Sequence, residues 1–74
     1  MTLQEHLTDL EPTAQISLCN SNEWHTEPRS GNKCYDAFFV GAVSDTPAEA
    51  LQRTVKSKFT AFMWNTTTFI LEEV

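Results

Sequence analysis

Lysine and arginine are scarce in this chain. Five basic residues stand against ten acidic ones in 74 positions, a net charge of −5 and a pI near 4.7. Binding nucleic acid through its phosphates needs clustered Lys and Arg, so that class of partner is set aside. Long apolar runs are also missing. No segment reaches the length of a membrane span. The start, Met1-Thr2-Leu3-Gln4-Glu5, lacks the basic residues and following apolar stretch of a secretory signal. The expected location is therefore the cytosol, where thiols stay reduced. There are two glycines and two cysteines. There is no Gly-rich phosphate loop, no nucleophile elbow and no His-Glu-x-x-His pattern. Cys19 and Cys34 form no Cys-x-x-Cys pair. Internal repeats, linkers and low-complexity tracts are absent, which leaves one domain over residues 1–74.

What is present suits a small globular core. The chain is 41% hydrophobic, with two Trp and five Phe, and large aromatics bury more area per residue than aliphatics. A chain this short hides only about 60–65% of its unfolded surface, so its stability margin is thin.

The best-specified stretch is Ser44 to Val55. Thr46 fits a helix N-cap, Pro47 the first helical position and Glu49 the return half of a capping box. Leu51, Val55 and Phe59 recur at helical spacing and predict a main helix over about 46–60 with one apolar side. Phe62 and Met63 continue that side, and Trp64 reads as core. Thr2-Leu3-Gln4-Glu5 predicts a second capping box opening a short helix to about Leu10, with Leu3, Leu7 and Leu10 on one face. Pro12 ends it.

Ala14 to Cys19 alternates apolar and polar residues, a strand with Ala14, Ile16 and Leu18 inward. Asn20-Ser21-Asn22 predicts a turn. Glu23 to Glu27 predicts a second short strand with Trp24 inward, and Pro28 to Asn32 a loop. Lys33 to Val43 is the longest strand candidate, where Gly41 suggests a bulge or a close backbone approach. Thr66 to Glu73 predicts a final strand. The fold class is α+β: a small antiparallel sheet of three to four strands, with both helices on one face. The first five elements share the order of a double-stranded-RNA-binding domain. That family opens its last helix with a Lys-rich segment. Here Asp45-Thr46-Pro47-Ala48-Glu49 stands in its place, the wrong sign of charge for phosphates.

Three groups of residues have the composition of a chemical site. Cys19, His25 and Cys34, with His6 as a fourth ligand, lack the closely spaced pairs that zinc sites use. A Cys19–Cys34 disulfide is compatible with neighbouring strands, but the cytosolic reading argues against it. Cys34 with His25, and Asp36 on the same strand face as Cys34, would give a thiolate–imidazole pair still in need of an oxyanion hole. Asn65-Thr66-Thr67 matches a glycosylation sequon that means little without a secretory signal. The reading is of no enzyme, no metal and no cofactor.

The carboxylates are unevenly spread. Residues 1–27 hold Glu5, Asp9, Glu11, Glu23 and Glu27 and no Lys or Arg. Such a set is either a solvated face or a patch that captures basic groups on a partner. Trp24, between Glu23 and Glu27, is the aromatic to test, because Trp and Tyr dominate interface hot spots. In size, charge and general architecture the chain resembles small acidic phage-encoded accessory proteins, among them inhibitors of host enzymes and anti-CRISPR proteins. No motif carries that resemblance, and it transfers no functional residue. It implies a non-enzymatic binding or inhibitor protein in the host cytoplasm; the charge distribution, not the resemblance, offers Glu5, Asp9, Glu11, Glu23, Trp24 and Glu27 as the surface toward a larger protein with a basic patch. The alternative is a self-associating module, with an edge strand paired to its copy across a two-fold axis.

Overall fold

The computed structural model describes residues 1–61 and 66–72. The chain opens at Thr2, whose backbone N–H donates to Glu5 Oε1 at 2.8 Å while its hydroxyl accepts from the Glu5 N–H at 3.4 Å. This capping box starts helix α1, Leu3–Leu7. Leu3 and Leu7 point into the core, and Leu10, beyond the helix end, packs against it.

Strand β1 covers Gln15–Thr26 and strand β2 covers Lys33–Ala42. They form an antiparallel hairpin. The loop between them closes where Glu27 O accepts from Gly31 N and Asn32 O accepts from Glu27 N, both at 2.8 Å. Gly31 has φ +74°, a left-handed conformation that glycine adopts without steric cost. A 3-10 turn over Val43–Asp45 leads to helix α2, Ala48–Leu51, then strands β3, Val55–Ala61, and β4, Thr66–Leu71.

The sheet runs β2-β1-β4-β3. Antiparallel pairing holds β2 to β1 and β3 to β4, but β1 and β4 are parallel. The α+β class and the strand number stand, whereas the sheet is mixed rather than purely antiparallel. Alternation within a strand says which residues face inward. It does not say which way the neighbouring strand runs.

The main helix over about 46–60 is corrected to the single turn of α2. The Thr46 hydroxyl donates to Val43 O at 2.7 Å and finishes the 3-10 turn instead of capping a helix. Pro47, not Thr46, holds the N-cap position, with no side-chain cap bond. After Leu51 the backbone is claimed by pairing. Leu3 N donates to Arg53 O and Val55 N to Met1 O, each at 2.9 Å, and Thr2 bridges Thr54. The β-branched Val55 and the aromatic Phe59 then accept a place beside β4. Leu51 and Val55 do pack against the core, as their spacing implies, though not on one helix.

The turn at Asn20-Ser21-Asn22 is also corrected. One strand runs through it, and the turn-forming residues appear instead as a break in the ladder: Cys19 pairs with Ala37, and the next pair is Trp24 with Tyr35. Trp24, expected inward, is 48% exposed. Residue Trp64, read as core, and Phe62 and Met63 lie outside the described residues.

The core lies between the helices and one face of the sheet: Leu3, Leu7, Ile16, Leu18, Ala50, Phe69 and Leu71. Phe39 packs against it by laying its ring over Gly41. A Cβ there would meet the ring at 3.0 Å, which is the close approach the glycine predicts.

Candidate protein-binding surfaces

Register and alternation define the second face of the sheet. Three rows cross the sheet on the side away from the core: Ala42, Gln15, Thr66; then Val40, Ser17, Thr68, Phe59; then Ala37, Cys19, Ile70, Ser57. None of these residues is charged, in a chain that is 20% charged. No described helix or strand covers them. Val40 is 67% exposed and Phe59 54%, while Cys19 and Ile70 between them are buried. A sheet face turned to water normally alternates toward polar residues; this one exposes the apolar Val40 and Phe59 on its outer strands. The result is a shallow hollow of about 430 Å³ over Ser17, Cys19, Ala37 and Thr68, rimmed by Lys33, Tyr35 and Phe59.

The second surface is the end of the hairpin. Pairing of β1 to β4 stops at Asn20–Leu71, so Trp24 to Thr26 bond only to β2. Residues 22–26 are all exposed. A free two-stranded ribbon is marginal in water, and four side-chain contacts support this one. The Lys33 ammonium lies 4.5 Å from the Trp24 ring centroid and 4.9 Å from that of Tyr35. Each such contact contributes about 0.5–1 kcal/mol at an exposed site. His25 Nδ1 is 2.9 Å from Asp36 Oδ1. Glu27 Oε1 accepts from Arg29 N at 3.0 Å inside the loop.

The predicted acidic and aromatic set is divided by this architecture. Glu23, Trp24 and Glu27 sit together on the arm, where Glu23 accepts a hydrogen bond from the Asn20 side chain. Asp9 and Glu11 follow α1 at the opposite end of the sheet, beside Pro12, whose carbonyl accepts from Ser44 N. With about 3.3 Å of rise per residue, the strand between the two ends is roughly 25–30 Å long. Glu5 belongs to the cap of α1, and hydrogen bonds from the Thr2 backbone and hydroxyl hold its carboxyl below the usual range.

Of the chemical constellations, the fold brings His25 to Asp36 and sets Cys34 opposite His25 in the register. The Cys34 thiol donates to the Asn32 carbonyl at 3.9 Å. His6 packs its ring on Phe69 in the helix layer, away from the other three residues of the zinc reading. Among the described residues no group of three or more His, Cys, Asp or Glu could hold a metal ion. Both cysteines are free. Burial raises the pKa of Cys19, a Ser17 hydrogen bond partly offsets this, and the Asp36 charge adds to the rise.

Sequence reasoning missed this second face because Val55 to Phe59 reads as helix. Once that segment is taken as a strand, Phe59 alternates onto the same side as Val40.

Architecture and surfaces together define a small α+β protein with a mixed four-stranded sheet, helices on one side, and two exposed apolar features. No family model, curated protein or solved structure matches the chain. No helix among the described residues is long and apolar enough to cross a membrane.

Proposed function

We propose that this chain is a small non-enzymatic binding or inhibitor protein of the cytoplasm that engages a larger protein through the hairpin arm. The observation that supports this reading is the half-exposed Trp24 on a ribbon clear of the core, flanked by Glu23 and Glu27. A rigid indole beside carboxylates is the composition of a hot spot facing a basic patch: the ring supplies buried area and the carboxylates steer the encounter. Tyr35, held beside Trp24 by Lys33, widens the aromatic contact.

The test is capture of the partner from lysate of the native host. The wild-type chain retains a protein that the combined variant Trp24→Ala, Glu23→Lys, Glu27→Lys loses, with an unchanged circular-dichroism spectrum. Equal capture by both chains removes the arm as the contact surface.

A further inference from the structure

We propose that the face of the sheet on which no described helix or strand packs meets a second copy of this chain around the exposed Val40 and Phe59, two sheets packing face to face about a two-fold axis parallel to the strands. This interface adjoins the arm at Lys33 and Tyr35, which rim the hollow, but its central contacts, Val40 and Phe59, lie outside the arm, and it does not depend on the function proposed above. Three observations select a second copy.

The first is register. A two-fold axis along the strands exchanges left and right, so β2 of one copy lies over β3 of the other and β1 over β4. The order β2-β1-β4-β3 and the shared rows then place Val40 over Phe59 of the second copy and Ser17 over Thr68, while Cys19 and Ile70 are already buried within each copy. Each pair occurs twice. Apolar groups meet apolar groups, and hydroxyl meets hydroxyl at the centre. Aligned packing of two twisted sheets about 10 Å apart accommodates this arrangement.

The second is charge. Each copy carries −5, and repulsion would oppose association through most of the surface. The three rows contain no charged residue, so two copies meet there without opposed carboxylates.

The third is shape. The chain is a slab of 36 × 30 × 17 Å. It exposes 5132 Å², whereas a compact monomer of 8.4 kDa exposes about 4,600 Å². The broad side accommodates the roughly 800 Å² that each partner gives a standard interface. Pairing edge to edge is the weaker alternative. β3 carries Lys56 and Lys58, and β2 is bulged by the unpaired Phe38 between Phe39 and Ala37, both devices that discourage strand addition.

The experiment is sedimentation equilibrium over a wide concentration range, followed by a charge-complementation test. The wild type is expected at twice the chain mass. Val40→Lys and Phe59→Glu, each at an exposed position and each with a native circular-dichroism spectrum, are expected at the single chain mass. An equimolar mixture of the two is expected to return to twice that mass, because one copy's new ammonium then faces the other's new carboxylate. A wild type that stays at the chain mass throughout overturns the proposal. So does a dimer that persists in both single variants, or a mixture that stays monomeric. Partner capture through the arm is read with the Trp24 variant and is unaffected by those outcomes, so failure of one reading leaves the other standing.

Discussion

Thr2 and Glu5 hold the first turn of α1 with reciprocal hydrogen bonds, and a helix of five residues has little intrinsic stability to spare. Thr2→Ala is expected to cost about 0.5–2 kcal/mol, read from urea unfolding. The Glu5 carboxyl has its pKa lowered by bonds that exist only in the folded chain. Its stabilisation is therefore complete above the unfolded carboxylate pKa and is lost as pH falls through the depressed folded value. Glu5→Gln should remove that part of the acid limb from a stability–pH curve; an unchanged limb would show that the cap does not respond to protonation. In the core, Phe69→Ala should cost about 3–5 kcal/mol, enough to leave a domain of this size largely unfolded. The thiols give a residue-level check of the sheet face: Cys19 is buried with a raised pKa and Cys34 is half-buried. In native buffer a thiol reagent should modify Cys34 first, and Cys19 at a comparable rate only after denaturation.

At the scale of elements, the parts legible in the sequence were those whose signal is local. The α1 capping box lies within four residues, the alternation of Ile16 and Leu18 within three, and the loop before Lys33 is marked by Pro28 and Gly31. The parts that were not legible depend on residues far apart in the chain. Leu51, Val55 and Phe59 satisfy a helical period, and Ser57 and Phe59 an alternating one, with Val55 turned to the core across a register shift. Pairing with β4 and the N-terminus decides between them, and no local propensity outweighs a full ladder of tertiary hydrogen bonds. The same reasoning covers Asn20-Ser21-Asn22, where turn-prone residues loosen one ladder while Asn20 stays bonded in register with Leu71. Of the candidate site, the Trp24 cluster was visible as composition; its separation from Asp9 and Glu11 was not, because that distance follows from the path of α1 across the sheet. The β assignment of residues 55–60 has a direct check. Their amides should exchange with the alternating protection of a strand, and far-UV circular dichroism should be dominated by β structure; strong helical minima would restore the long helix.

At the scale of the whole molecule, the two surfaces acquire a fixed relation if the proposed dimer forms. An axis parallel to the strands leaves strand direction unchanged, so both hairpin arms leave the dimer at the same end. Two Trp24 rings, with Glu23 and Glu27 beside each, then form one bivalent acidic end, and a partner with two basic sites, or two copies of one partner, would bind with the gain of an intramolecular second contact. Stability is coupled to the same association. A chain with a core this small gains from burying Val40 and Phe59, and any species that binds only the folded state raises apparent stability by mass action. Each tenfold rise in chain concentration should therefore add about 1.4 kcal/mol to the unfolding free energy of the dimer and raise its thermal midpoint by about 3–5 °C. Phe59→Glu should unfold at a midpoint independent of concentration and below that of the wild type. Scanning calorimetry of both chains at several concentrations measures this directly. A wild-type midpoint that does not move would mean that the helices and one side of the sheet hold this chain together without a second layer.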